Sequence, residues 1–313
     1  MAFVIPKETY SGKVYPVTIG TGDNAVTFGG ENVLPFNGFE GSTPNKPVIA
    51  YEIQDIPPSD WPENVKKPFE AVSGDPVKWA KHCQDTLGAR AIALRLTGTH
   101  PDRENLSAGD AAKTVKDVLS AISVPLIILG SNHAEKDSQV LVACAEAAKE
   151  KNCVIGKAQE ANYKTIVAAA MANNHKLIAM SELDINLSKQ LNILITQMGF
   201  DKERLITDPM SSALGYGLEY TYSVMERIRL AALAQNDATM QPPMVADVGM
   251  YVWKIKETQA LEADLPMWGD LAKRGVLWEA STAASLLISG AELLIMRHPE
   301  AVQAVEKFIS EMS

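Results

Sequence analysis

The chain has 313 residues, 46% hydrophobic and 21% charged, ordinary proportions for a folded protein of one large domain or two smaller ones. A formal net charge of -9 argues against a nucleic-acid backbone or an anionic membrane as partner. No apolar run reaches the roughly 18 residues that cross a bilayer, and MAFVIPKETY lacks the basic and apolar regions of a secretory signal, so the cytoplasm is the expected location.

Residues 1–46 read as an arm rather than as helix. Tyr15, Val17 and Ile19 alternate with polar or small neighbours, and Val26 and Phe28 do the same after GTGDN, the pattern of a β-hairpin. An isolated hairpin is barely stable in water, so this one must lie on the main domain or on a partner chain.

From Pro47 onward short apolar strands alternate with amphipathic helices. The strands are expected at Val48–Ile53, Ala91–Leu96, Leu126–Leu129, Val154–Lys157, Leu177–Met180, Leu205–Thr207, Met244–Val248 and Leu293–Met296. Most are near-continuous Ile/Leu/Val/Ala runs, as in parallel strands covered on both faces. Asp75-Pro76 opens a helix over Val77–Leu87, and Ser107 opens one running to Ile122. Eight such units over residues 47–313 have the size of a (β/α)8 TIM barrel. A doubly wound open sheet is the rival, and the missing G-x-G-x-x-G after the first strand speaks against it. Before the last strand, helical stretches around Tyr251–Leu261 and Leu271–Ile288 flank the breakers Asp264-Leu265-Pro266.

Cys83, Cys144 and Cys153 stand far apart, without a C-x-x-C pair. They read as buried reduced thiols, too few for an iron–sulfur cluster or a structural zinc made by this chain alone.

In such a barrel the strand ends list the site. His100, His133 and His298 fall on three of them, which makes a metal conceivable, although no two share a helix face. Lys157 reads either as a Schiff-base lysine or as a charged rim group. Asn132 could hydrogen-bond a flat heterocycle or cap the next helix. The sixth strand end is the most unusual: Asp208-Pro209, then the small, polar loop Met210-Ser211-Ser212-Ala213-Leu214-Gly215, then a helix with Tyr220, Val224, Ile228 and Ala232 on one stripe. Asp208 either orients that loop or touches a ligand.

Three stretches carry a resemblance: ITDPMSSALGYGLEYTYSVMERIRLAAL at 206–233, GSNHAEKD at 130–137 and LWEASTAASLLISGAELLIMRHPEA at 277–301. Through them essentially the whole chain, arm included, resembles the small (delta) subunits of the corrinoid iron–sulfur protein. That protein is the methyl carrier of the reductive acetyl-CoA (acetyl-CoA decarbonylase/synthase) pathway. The resemblance implies a barrel related to pterin-binding methyltransferases and a heterodimer with a large subunit carrying the [4Fe-4S] cluster and a corrinoid domain. It implies a corrinoid (cobamide) shared between the subunits. Methyl would come from methyltetrahydrofolate through a separate methyltransferase and pass to acetyl-CoA synthase. The expected corrinoid contacts are Asp208, Met210, Ser211, Ser212, Ala213, Leu214 and Gly215, with Ser211 and Ser212 nearest the macrocycle; Thr99 and Asn132 are further candidates. No residue of this chain is expected to be catalytic or to ligate metal, and no D-x-H-x-x-G corrinoid motif is present. Stand-alone enzymes remain as alternatives: a pterin-dependent methyltransferase using Asp208, Asn132 and Asp247, or a lysine aldolase using Lys157.

Overall fold

A computed structural model describes residues 4–312; the first three residues of the arm and residue 313 lie outside the described residues. After the hairpin strands β1 (Val17–Ile19) and β2 (Val26–Phe28) come eight parallel strands: β3 (Val48–Gln54), β4 (Ala91–Arg95), β5 (Leu126–Leu129), β6 (Val154–Ala158), β7 (Lys176–Met180), β8 (Leu205–Asp208), β9 (Met244–Ala246) and β10 (Ala291–Met296). They close into a barrel, with Leu293 to Met296 of β10 registered on Val48 to Tyr51 of β3. This is the expected TIM barrel, and each expected strand lies within two residues of an observed one.

The helices are α1 (Glu63–Lys66), α2 (Pro76–Asp85), α3 (Ala108–Ala121), α4 (Ala134–Ala147), α5 (Tyr163–Ala172), α6 (Ile185–Gln197), α7 (Leu218–Leu233), α8 (Val248–Val252), α9 (Leu271–Ile288) and α10 (Pro299–Met312). No described helix is long and apolar enough to cross a membrane. Asp75 caps α2 by accepting from Val77 and Lys78, and Ser107 with Asp110 forms a capping box on α3. Two helical expectations change. The stretch expected at Tyr251–Leu261 is the five-residue α8 followed by a tight turn at Lys256–Thr258, because the Thr258 hydroxyl donates to the carbonyls of Val252 and Ile255 and ends the helix. On α7, Val224, Ile228 and Ala232 are buried as expected, but Tyr220 is 65% exposed at the first turn.

Two apolar layers follow from the two-residue period of the strands. Outward residues such as Ile49, Tyr51, Ile92 and Leu94 meet the helices. Inward residues such as Val48, Ala50, Ala93, Ile127, Ile206, Val245, Leu293 and Ile295 form a second cluster inside the barrel. Val17, Ile19, Val26 and Phe28 of the hairpin belong to that inner cluster, so the hairpin stoppers the N-terminal end of the barrel. Asn152, just before β6, holds it there by donating to the carbonyls of Thr18 and Gly20. The hairpin leaves through Gly29 at φ +77, where any Cβ would meet the Tyr15 carbonyl at 2.5 Å. Beyond it, Phe36 packs edge-on against Phe308 of α10, ring centroids 5.5 Å apart. The hairpin's apolar face is therefore covered by its own chain, while Val4, Ile5 and Phe39 elsewhere in the arm are exposed.

Candidate functional site at the C-terminal barrel mouth

Above the inner apolar layer the same inward positions turn ionic. Ala50 gives way to Glu52, Ala93 to Arg95, Ile206 to Asp208, Val245 to Asp247 and Ile295 to Arg297, each two residues on. Lys157 joins them from β6, where the register against β7 shifts between Ile155 and Ala158. These six side chains are buried and form one network. Glu52 accepts from Arg95 Nε at 2.9 Å and from Arg297 Nη2 at 2.9 Å. Asp247 accepts from Arg95 Nη2 at 2.8 Å and from Lys157 Nζ at 2.7 Å, and Lys157 reaches Asp208 at 2.9 Å. Three cations face three anions.

Burial by itself would neutralise these groups. At Glu52 it pushes the carboxyl up, but Arg297 and Arg95 outweigh it and hold the pKa below its ordinary value. At Asp247, Arg95 and Lys157 likewise overcome burial and hold the carboxyl well below the usual range. Lys157 is kept charged, well above an ordinary lysine, because Asp208 and Asp247 overcome its desolvation. A lysine so held has no free amine for an imine, which removes the structural basis for the aldolase alternative. Two carboxyls elsewhere are pushed up by burial, Asp55 to about 6 and Glu279 to about 7. Both hold backbone instead: Asp55 accepts from Gly98 N, and Glu279 accepts from the amides of Arg297 and His298.

The loop after β8 is tied down from below. Asp208 Oδ1 accepts from Met210 N at 2.9 Å, so Asp208 orients the loop and pairs with Lys157. Met210 adopts φ +68. The Ser211 hydroxyl is turned inward and accepts from the Asp247 amide at 3.0 Å. Ser212 and Ala213 are also buried, Ser212 against Gly217. Leu214 and Gly215 come to the surface instead: Leu214 is 37% exposed, and Trp278 Nε1 donates to its carbonyl at 2.9 Å. In this chain the serines thus lie beneath the loop and Leu214 forms its crest. Leu214, Trp268, Leu277 and Trp278 line a hollow of about 340 Å³ beside it.

The remaining candidates separate. Thr99 is fully buried with its hydroxyl donated to the Leu96 carbonyl. Asn132 stands at φ +71 on the rim, donating through Nδ2 to Met250 Sδ at 3.6 Å. It is not the cap of α4; His133 is, accepting from Lys136 N through Nδ1. The His100 and His133 rings lie 5.6 Å apart, whereas His298 stacks near Trp253. Among the described residues no three His, Cys, Asp or Glu side chains converge in a metal-binding group. Cys83, Cys144 and Cys153 are buried and free.

Arg297 falls on the last strand end and is legible there, whereas Glu52 and Arg95 escape a reading of strand ends because they sit inside largely apolar runs. The signal was present: a charge at an inward position of an otherwise aliphatic strand, VIAYEIQ or AIALR.

Residues 16–308 match the model of the family described as CO dehydrogenase/acetyl-CoA synthase delta subunit, CdhD. The acetyl-CoA decarbonylase/synthase complex subunit delta of Methanocaldococcus jannaschii is 34% identical over 314 residues, 96% of this chain and 75% of that protein. The subunit of the same name from Archaeoglobus fulgidus is 32% identical over 319 residues, 98% of this chain and 70% of that protein. Among solved structures, a dihydropteroate synthase from Xanthomonas albilineans in complex with 7,8-dihydropteroate superposes with a TM-score of 0.57 at 13% identity, covering 87% of this chain and 96% of that one. This last likeness concerns the barrel alone. From β1 to α10, then, the chain belongs to the CO dehydrogenase/acetyl-CoA synthase delta-subunit family.

Proposed function

We propose that this chain is the small subunit of a corrinoid iron–sulfur methyl carrier and encloses, together with a large subunit, the corrinoid that shuttles a methyl group. The methyl would arrive from methyltetrahydrofolate through a separate methyltransferase and leave to acetyl-CoA synthase; the [4Fe-4S] cluster would belong to the large subunit. The observation that carries this reading is the pairing of a locked charge network with a neutral crest. All six mouth charges are committed to one another, leaving none of them free as an acid, base or nucleophile. Beside them Leu214 and Gly215 offer an uncharged surface next to the Trp268–Leu277–Trp278 hollow. Such a surface fits a flat macrocycle held mainly by a partner. The corrinoid would supply the methyl-transfer chemistry, while this chain positions and keeps water away.

Leu214→Glu in the assembled carrier tests this. The side chain is already part-exposed, so the fold should survive, while a charge on the crest should slow methyl transfer in both directions by about tenfold or more, a barrier change of about 1.4 kcal/mol. Rates within about twofold of wild type at full corrinoid occupancy would place the cofactor elsewhere.

A second reading, a stand-alone pterin-dependent methyltransferase, is favoured by one observation: the amides of Gln54 and Asn132 face a cavity at the same mouth. Titrating the isolated chain with methyltetrahydrofolate separates the two, since only the second requires saturable binding.

A further inference from the structure

A cavity of about 320 Å³ opens at the barrel mouth between the ends of β3, β4, β5 and β10, and the reading above leaves it without a role. Its floor carries two buried polar atoms that nothing in the chain satisfies. Arg95 spends Nε and Nη2 on Glu52 and Asp247, but its Nη1 has no partner. Gln54, its registered neighbour across β3 and β4, has an unpartnered Oε1. Both side chains are more than nine-tenths buried and both line the cavity. Buried donors and acceptors are nearly always paired, and leaving one unpaired costs on the order of 1–3 kcal/mol.

The walls carry charges of both signs, Asp60 and Asp102 among them. Arg297 and Arg103 line the cavity, the first bound to Glu52 and the second 3.6 Å from Asp60. Lys254 lines it as well, and among the described residues no carboxylate stands within salt-bridge distance of its ammonium. Burial, then the nearby Arg297 and Arg95, press its pKa below the ordinary lysine value. Lys254 is thus a wall cation without a paired carboxylate, in the same cavity as an unfilled donor.

We propose that this cavity is a binding subsite for a small oxyanion, a carboxylate or a phosphate, received by Arg95 Nη1 and Lys254, with Gln54 Oε1 accepting from a hydroxyl or amine on the same molecule. An anion there pairs the one uncompensated wall cation and satisfies the orphaned guanidinium nitrogen. Charge-assisted hydrogen bonds of this kind are roughly twice as strong as neutral ones. Arg95 is shared with the network that the corrinoid reading uses, but none of Gln54, Arg95 and Lys254 lies in the Met210–Gly215 loop, and the test reads the stability of the chain alone, so its failure is distinct from failure of that reading.

The full chain is melted in the presence of glycolate, inorganic phosphate, or chloride at matched ionic strength. Saturable stabilisation by glycolate or phosphate but not by chloride is expected; glycolate acting more tightly identifies a hydroxy-carboxylate, and phosphate a phosphoryl group. Lys254→Gln, outside the buried ion network, should weaken half-saturation about tenfold, and Lys254→Arg should restore it to within about threefold. Equal stabilisation by chloride, or a Lys254→Gln chain that responds like wild type, overturns the proposal.

Discussion

Lys157 illustrates how burial fixes the role of a residue whose type alone leaves several open. Its ammonium lies 2.7 Å from Asp247 and 2.9 Å from Asp208, buried inside the barrel. Removing one member of a buried ion cluster leaves the rest uncompensated, which costs roughly 3–5 kcal/mol. Lys157→Met should therefore lower the unfolding free energy by about that amount in a urea titration; a loss below about 1 kcal/mol would show that the cluster tolerates an unpaired carboxylate. From sequence, Lys157, Asp208 and Asp247 could be named as strand-end groups, but not as partners, since they are 51 and 39 residues apart along the chain and meet only through barrel closure. The same holds for Ser211: nothing in MSSALG says which hydroxyl turns inward, and the deciding contact is the amide of Asp247 on the neighbouring strand.

At the scale of elements the strands were the most legible part, because runs of aliphatic residues between helix caps leave few alternatives. The hairpin was legible as a hairpin but not in its place. Its alternation gave Val17, Ile19, Val26 and Phe28 a common face, yet the surface receiving that face is assembled from every barrel strand and has no local signature. The structure assigns the face to the chain's own interior. The hairpin's need for cover is thus no argument for a partner. Phe28→Ala should cost about 3–5 kcal/mol of stability, the range for a buried aromatic, while leaving subunit association at concentrations where the chain is folded unchanged. Association lost in step with no change in melting would return the hairpin to the role of an interface.

For the whole molecule the informative surface lies around the loop crest. Leu277 is 64% exposed, Met267 nearly wholly so, and with Leu214 and Trp268 they make an apolar area at one side of the mouth. Such a patch rimmed by Asp270, Lys273 and Arg274 has the make-up of a protein contact. Leu277→Glu is expected to weaken binding of the proposed large subunit by about tenfold or more, equivalent to about 1.4 kcal/mol. The melting temperature of the isolated chain should stay within about 2 °C, since little packing is lost at an exposed position. Pull-down with the large subunit and a thermal melt of the variant check both halves; unchanged affinity would move the contact elsewhere.

The stopper at the barrel's N-terminal end also imposes an order in time. Its seat includes Leu293 and Ile295 of β10, which leave the ribosome some 265 residues after Phe28 of the hairpin (293 − 28). At about 5–20 residues per second the interval is on the order of tens of seconds. Throughout it Val17, Ile19 and Phe28 have no socket to enter, and unpaired strands with bare apolar side chains are what chaperones hold and aggregates recruit. The hairpin is translated before the barrel yet is seated only after it closes, so the hazard of making this protein is concentrated in residues 17–28, well before the barrel that hides them exists.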